Sequence, residues 1–266
     1  MVMNTALKQK KNPVFGQEHQ RTVFALVFFG IVISGMIVIM LLRFLPRDQV
    51  VTPIGTIGGL EITREELLLY AEEYRAPVAK YFADTYGAKV DQDFWSASFG
   101  GEVPSELVKE KALEELKITK TEQKLMLEHG IIQDAGYEQF LQELSAENQS
   151  RKRTVSAGGD LYGPEEYGEK DFFLLIHEKR RNNLIKELAK TTFQITDADK
   201  QEFYQRAKQE KAAFLLDNGK YRSYDSVEPL LEKIIADQRY QKYLDQELKT
   251  TVVQITDKQY RKIIIQ

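Results

Sequence analysis

With no cysteine and only three histidines (His19, His129 and His177), this 266-residue chain has few side chains suited to nucleophilic, redox or metal chemistry. Thiolate nucleophiles, disulfides, Cys-based zinc sites and cysteine-linked lipid anchors are excluded. His129 stands beside Gly130 at an expected helix end, where an imidazolium suits the C-terminal dipole. His177 shares a helical face with Phe173, Arg180 and Leu184. No second ligand lies at a recognisable spacing, so it reads as a partly buried, hydrogen-bonded histidine. The carboxylate pairs Glu65-Glu66, Glu72-Glu73 and Glu114-Glu115 are adjacent in sequence. Adjacent helical side chains diverge by about 100°, so these pairs read as solvated faces and not as acid–base couples. A glycine-rich phosphate loop, a Gly-x-Ser-x-Gly elbow and a His-Glu-x-x-His motif are all missing. No catalytic residue, metal or cofactor is expected.

Arg151-Lys-Arg153 and Lys179-Arg-Arg181 are the dense basic clusters. Acidic residues surround them and the whole chain carries −3, which argues against a nucleic-acid groove. Phe94, Trp95 and Phe99 fall in Asp91–Glu102, a segment rich in Gly and Ser that reads as a loop. Large apolar groups in a loop either tuck onto the core or meet an apolar partner. These three are the candidate contacts for a bound polypeptide.

The elements that would position such residues are mostly helices. Ile54–Ile57 reads as a short strand turning at Gly58-Gly59, with Leu60–Ile62 returning beside it. Thr63-Arg-Glu-Glu66 is a capping box. The helix it opens carries Leu67, Ala71, Tyr74, Val78 and Phe82 on one face, with Pro77 expected to kink or divide it and Gly87 to end it. Pro104-Ser105 starts a long helix reaching about Glu128, stopped by Gly130. Further helices are expected over 133–149, over Glu169–Lys190, after the cap Thr196, and from Ser226 to Leu248. Val252–Ile255 reads as a last strand, able to pair with the first. The fold class is mainly α: long amphipathic helices with short strands at the two ends of the body.

Thr22 to Leu42 contains no charged residue, about 21 positions, enough to cross a ~30 Å hydrocarbon layer. A cleaved leader would have a shorter apolar run and a small-residue cleavage site; here the run is followed by Arg43-Phe-Leu-Pro-Arg47. Lys8, Lys10, Lys11 and Arg21 precede it, favouring a cytoplasmic tail. Six of the 37 basic but two of the 40 acidic side chains lie in residues 1–50, so the remaining body is acidic. The expected organisation is a tail (1–21), a transmembrane anchor (22–42), a linker (43–53) and an extracytoplasmic helical body (54–266).

The order of segments resembles that of the SurA/PrsA-like exported foldases. The resemblance rests on Ile54-Gly-Thr-Ile-Gly-Gly-Leu-Glu-Ile-Thr-Arg-Glu-Glu-Leu67 and Val103-Pro-Ser-Glu-Leu-Val-Lys-Glu-Lys-Ala112. It continues through Ile195-Thr-Asp-Ala-Asp-Lys-Gln-Glu-Phe-Tyr204, Tyr224-Asp-Ser-Val-Glu-Pro-Leu-Leu-Glu-Lys-Ile234 and Val252-Val-Gln-Ile255. It implies a chaperone body formed by both ends of the chain, binding unfolded or newly exported polypeptides. Many members insert a parvulin prolyl-isomerase domain after the segment matched by 195–204. Here too few residues separate Phe214 from Ser223 to hold a domain of at least ~50 residues, and no histidine follows His177. The resemblance therefore implies chaperone-type binding without isomerase chemistry. The alternatives are an active prolyl isomerase of the same family and a helical scaffold for one dedicated cell-envelope partner.

Overall fold

Gly58 and Gly59 adopt φ values of 58° and 85°, the double left-handed turn that matches the twist of a tight hairpin. They join β1 (Pro53–Ile57) to β2 (Leu60–Thr63). Seven helices and a third strand follow among the described residues: α1 (Arg64–Tyr86), α2 (Pro104–Glu128), α3 (Tyr137–Ser156), α4 (Glu169–Thr191), α5 (Asp197–Gln209), α6 (Tyr224–Thr250), β3 (Val253–Ile255) and α7 (Asp257–Tyr260). The computed structural model describes residues 51–210, 213–216 and 218–265. The expected tail and anchor (1–42) lie outside them. Among the described residues no helix is long and apolar enough to cross a membrane.

The two ends of the body do pair. β3 runs antiparallel to β1, with Thr56 opposite Gln254, in a three-stranded sheet of order β2-β1-β3. Thr63 caps α1 as its sequence predicts: its side chain accepts from the Glu66 amide, and Glu66 accepts from the Thr63 N–H. Thr196 and Asp199 repeat the device at α5. Gly87 closes α1 with φ 64°.

Two expectations are corrected. Of the two outcomes expected at Pro77, a kink or a division, division does not occur: α1 continues to Tyr86. Its exposed ring sits on the outer face, while Ala71, Val78 and Phe82 on the inner face are buried against α2 and the sheet. That packing on both sides of Pro77 outweighs one missing hydrogen bond. The helix expected over 133–149 instead spans Tyr137–Ser156. Gly130 takes φ 69°, the Ile131 amide bonds back to Met126, and Asp134 accepts from the Gly136 amide. This run of local bonds delays the restart.

The core is divided. One cluster lies between sheet, α1, α2 and the C-terminal Ile263 and Ile265. A second joins the end of α2 to α4 and α6 through Leu125, Leu184, Leu188 and Tyr240. A third ties α3 to the start of α4 around Phe140 and Phe172. The fourth holds α5 on the start of α6 through Tyr204, Val227 and Leu231. The short connection between α5 and α6 folds back on itself: the Arg222 amide donates to Phe214 and the Leu216 amide to Lys220.

Candidate functional site

Helix α2 passes through the middle of this arrangement, and its Thr119-Lys-Thr-Glu-Gln123 stretch is buried throughout. Five consecutive helical residues point in all directions, so α2 is enclosed on every side here, yet by polar contacts. The Thr119 and Tyr70 hydroxyls meet at 2.7 Å. Lys120 Nζ, fully buried, lies 2.6 Å from Glu66 Oε1 on α1 and donates to the Ala135 carbonyl. Thr121 meets Thr251, just before β3, at 3.1 Å. Glu122 lies 2.6 Å from His177 Nε2 on α4 and accepts from the Tyr240 hydroxyl on α6 at 2.5 Å. Gln123 Oε1 is buried without a protein partner. Buried polar groups that find partners only in one arrangement specify that arrangement. This girdle sets how α1, α4 and α6 meet around α2.

His177 is thus a satisfied, mostly buried histidine, stacked on Phe173 with ring centroids 5.3 Å apart, as its face predicts. His129 is the C-cap of α2. Glu66 corrects the reading of the carboxylate pairs as solvated: it is 6% exposed and ion-paired. The partner that draws it inward is remote in sequence, so adjacency gave no sign of it. Glu115 also has a defined role, accepting from Tyr74 at 2.8 Å. No group of three or more His, Asp and Glu among the described residues could hold a metal ion.

The aromatic loop lies over the first core. Phe94 is fully buried, edge-on to Phe82 at 6.1 Å. Trp95 and Phe99 are half-buried against the same cluster, with the Arg75 guanidinium 5.6 Å over the Trp95 ring. Phe94 presents no surface outward, while the outer parts of Trp95 and Phe99 do.

A second apolar surface has no counterpart in the sequence reading. α4 and α6 leave a groove of about 250 Å³ between them, floored by Ile185, Ala189, Pro229 and Ala236. Ile185, Ala189 and Ala236 belong to the same buried cluster as Leu184, Leu188 and Tyr240, so the floor of the groove is the outer edge of that core. Leu230, next to Pro229 on α6, is half exposed. Such a surface can accept apolar side chains without directional demands.

Two carboxylates make this part of the body sensitive to acid. Burial alone would push Glu122 up, but the hydrogen bond and charge of His177 and the Tyr240 hydroxyl outweigh it and hold the carboxyl below its usual range. Asp199 is held down to about 2 by the Thr196 amide and hydroxyl and by Arg239. Both ionise at lower pH folded than unfolded. Their stabilisation is complete above the unfolded carboxylate range, about pH 4, and is lost as pH falls toward the folded values. The urea midpoint should therefore fall between about pH 4 and pH 2, and less steeply for Asp199→Asn. Parallel curves for the two proteins would refute a contribution from Asp199.

Over 117 residues the chain is 26% identical to a protein of Bifidobacterium longum subsp. longum described as a chaperone for lacto-N-biosidase. The match covers 44% of this chain and 42% of that protein, so the chain spans well under half of that relative's length. No protein-family model matches the chain. No solved structure matches it.

Proposed function

We propose that the chain is a protein-folding factor that holds unfolded or newly exported polypeptides outside the cytoplasm, tethered through residues 22–42 and without isomerase chemistry of its own. The observation that carries this reading is the distant similarity to a chaperone. The resemblance of the segment order to that of SurA/PrsA-like foldases and the apolar groove between α4 and α6 support it. Trp95 and Phe99 offer a second, smaller contact. Binding through non-directional apolar contacts needs neither a cofactor nor a nucleotide. A tether beside the membrane exit raises the local concentration of emerging clients.

The relative is named for one enzyme, and this favours a second reading: a single secreted enzyme as dedicated client. The full chain in lipid nanodiscs separates the two. Slowed light scattering from several unrelated unfolded proteins is the result expected of a general chaperone. Protection of none, with one stoichiometric partner on cross-linking, would replace it by the dedicated reading; the absence of both protection and any such partner would overturn the chaperone proposal altogether. A protease-coupled prolyl isomerisation assay should give the uncatalysed rate. A reporter enzyme fused at Gln266 should be active only outside the cytoplasm.

A further inference from the structure

We infer that the α4–α6 groove selects, among client segments, those in which an apolar side chain is flanked by carboxylates; this rests on the client-binding reading above. Leu175, Lys179, Lys186 and Lys190 follow one another at helical spacing along α4 and form a single exposed stripe, about 22 Å long at 1.5 Å per residue. Lys186 and Lys190 form the α4 wall of the groove. None of the three lysines forms an ion pair among the described residues. The neighbouring cations are engaged: Arg180 with Glu143, Arg181 with Glu178, and Lys170 with Glu73. On the α6 wall Lys233 and Asp237 neutralise each other at 2.6 Å, which leaves Glu232.

The body as a whole has more acidic than basic side chains, so an unmatched cationic wall beside an apolar floor runs against its average. An apolar side chain entering over Ala189 and Ala236 brings its neighbours level with the two walls. Carboxylates toward α4 find lysines that need break no existing pair, beside a low-dielectric floor that strengthens the attraction. Lysine or arginine flanks on that side meet like charge, and such repulsion separates segments of equal hydrophobicity.

The test uses the full chain in lipid nanodiscs and fluorescence anisotropy with three labelled peptides. They share length and apolar residues and differ only in flanks: Asp and Glu, Ser and Asn, or Lys and Arg. The acidic peptide should bind about fivefold more tightly than the neutral one at low salt, with the advantage shrinking as salt rises. Lys186→Glu with Lys190→Glu should invert the order, and Lys186→Gln with Lys190→Gln should level it. Circular dichroism checks that each variant is folded. Equal affinities, an order unchanged in the variants, or no binding would overturn the inference. Aggregation protection that persists alongside equal affinities would sink charge selection alone, whereas loss of both would also sink the function proposed above. A change in oligomeric mass in the Glu variant, without peptide competition, would make the groove an interface between copies of the chain and likewise overturn it.

Discussion

Replacing Lys120 by Met is expected to cost about 3–5 kcal/mol of unfolding free energy, read as a large drop in the urea midpoint. The ammonium is wholly buried, 2.6 Å from Glu66, itself almost out of solvent. Met fills similar volume, so the packing loss is small. The damage is the carboxylate left without its cation in a low-dielectric interior. Glu66 then keeps only the Thr63 amide and hydroxyl. The companion Lys120→Met with Glu66→Gln removes the stranded charge, and a Gln at that position can still complete the capping box. It should recover at least half of the loss. If the double variant is no more stable than the single one, the cost comes from packing or from the Ala135 carbonyl left without its donor, and the ion-pair account is wrong.

Gly55→Ala is the second large effect, about 2–5 kcal/mol. Gly55 has φ 155°, and a Cβ built there would lie 2.1 Å from the Gln254 carbonyl oxygen of β3. No side-chain adjustment relieves a clash with backbone, so β1 and β3 must part. Hydrogen exchange localises the effect. The Thr256 amide, bonded to Ile54, and the Gly58 amide, bonded to Val252, should lose protection. Amides of α4 and α6 should keep theirs, because their cores do not include the sheet. Gly59→Asn is the control: nothing lies within 4 Å of its Cβ position and Asn tolerates left-handed backbone, so it should cost under about 1 kcal/mol. Unchanged exchange at Thr256 and Gly58 in Gly55→Ala would refute the close approach as the reason for glycine.

Read in linear order, the residues dictate what short-range physics can reach. The Gly58-Gly59 turn, the caps at Thr63 and Thr196, the stop at Gly87 and the start at Pro104 depend on neighbours within about one helical turn. Those features are where the sequence places them. The last strand has no partner nearer in sequence than the β1–β2 hairpin, and it pairs along the edge of β1 that β2 leaves free. Where two local signals compete, the same reading falters. Pro77 allows a division that inward packing on both sides prevents, and the 130–136 turns hold the next helix back to Tyr137, four residues after its expected start.

Only tertiary contact decides the rest. Thr119 to Gln123 looks like an ordinary polar helix segment, since nothing in its periodicity announces that every side of it is covered. Glu66 looks solvated until Lys120, 54 positions later, is brought against it. Glu122 meets His177 and Tyr240 across separations of 55 and 118 residues. The α4–α6 groove is lined from two helices that are far apart in the sequence, Asn182 to Lys190 on one and Pro229 to Asp237 on the other. Such pairings have no signature along the chain: the free energy that favours them depends on which helices the remaining cores bring together.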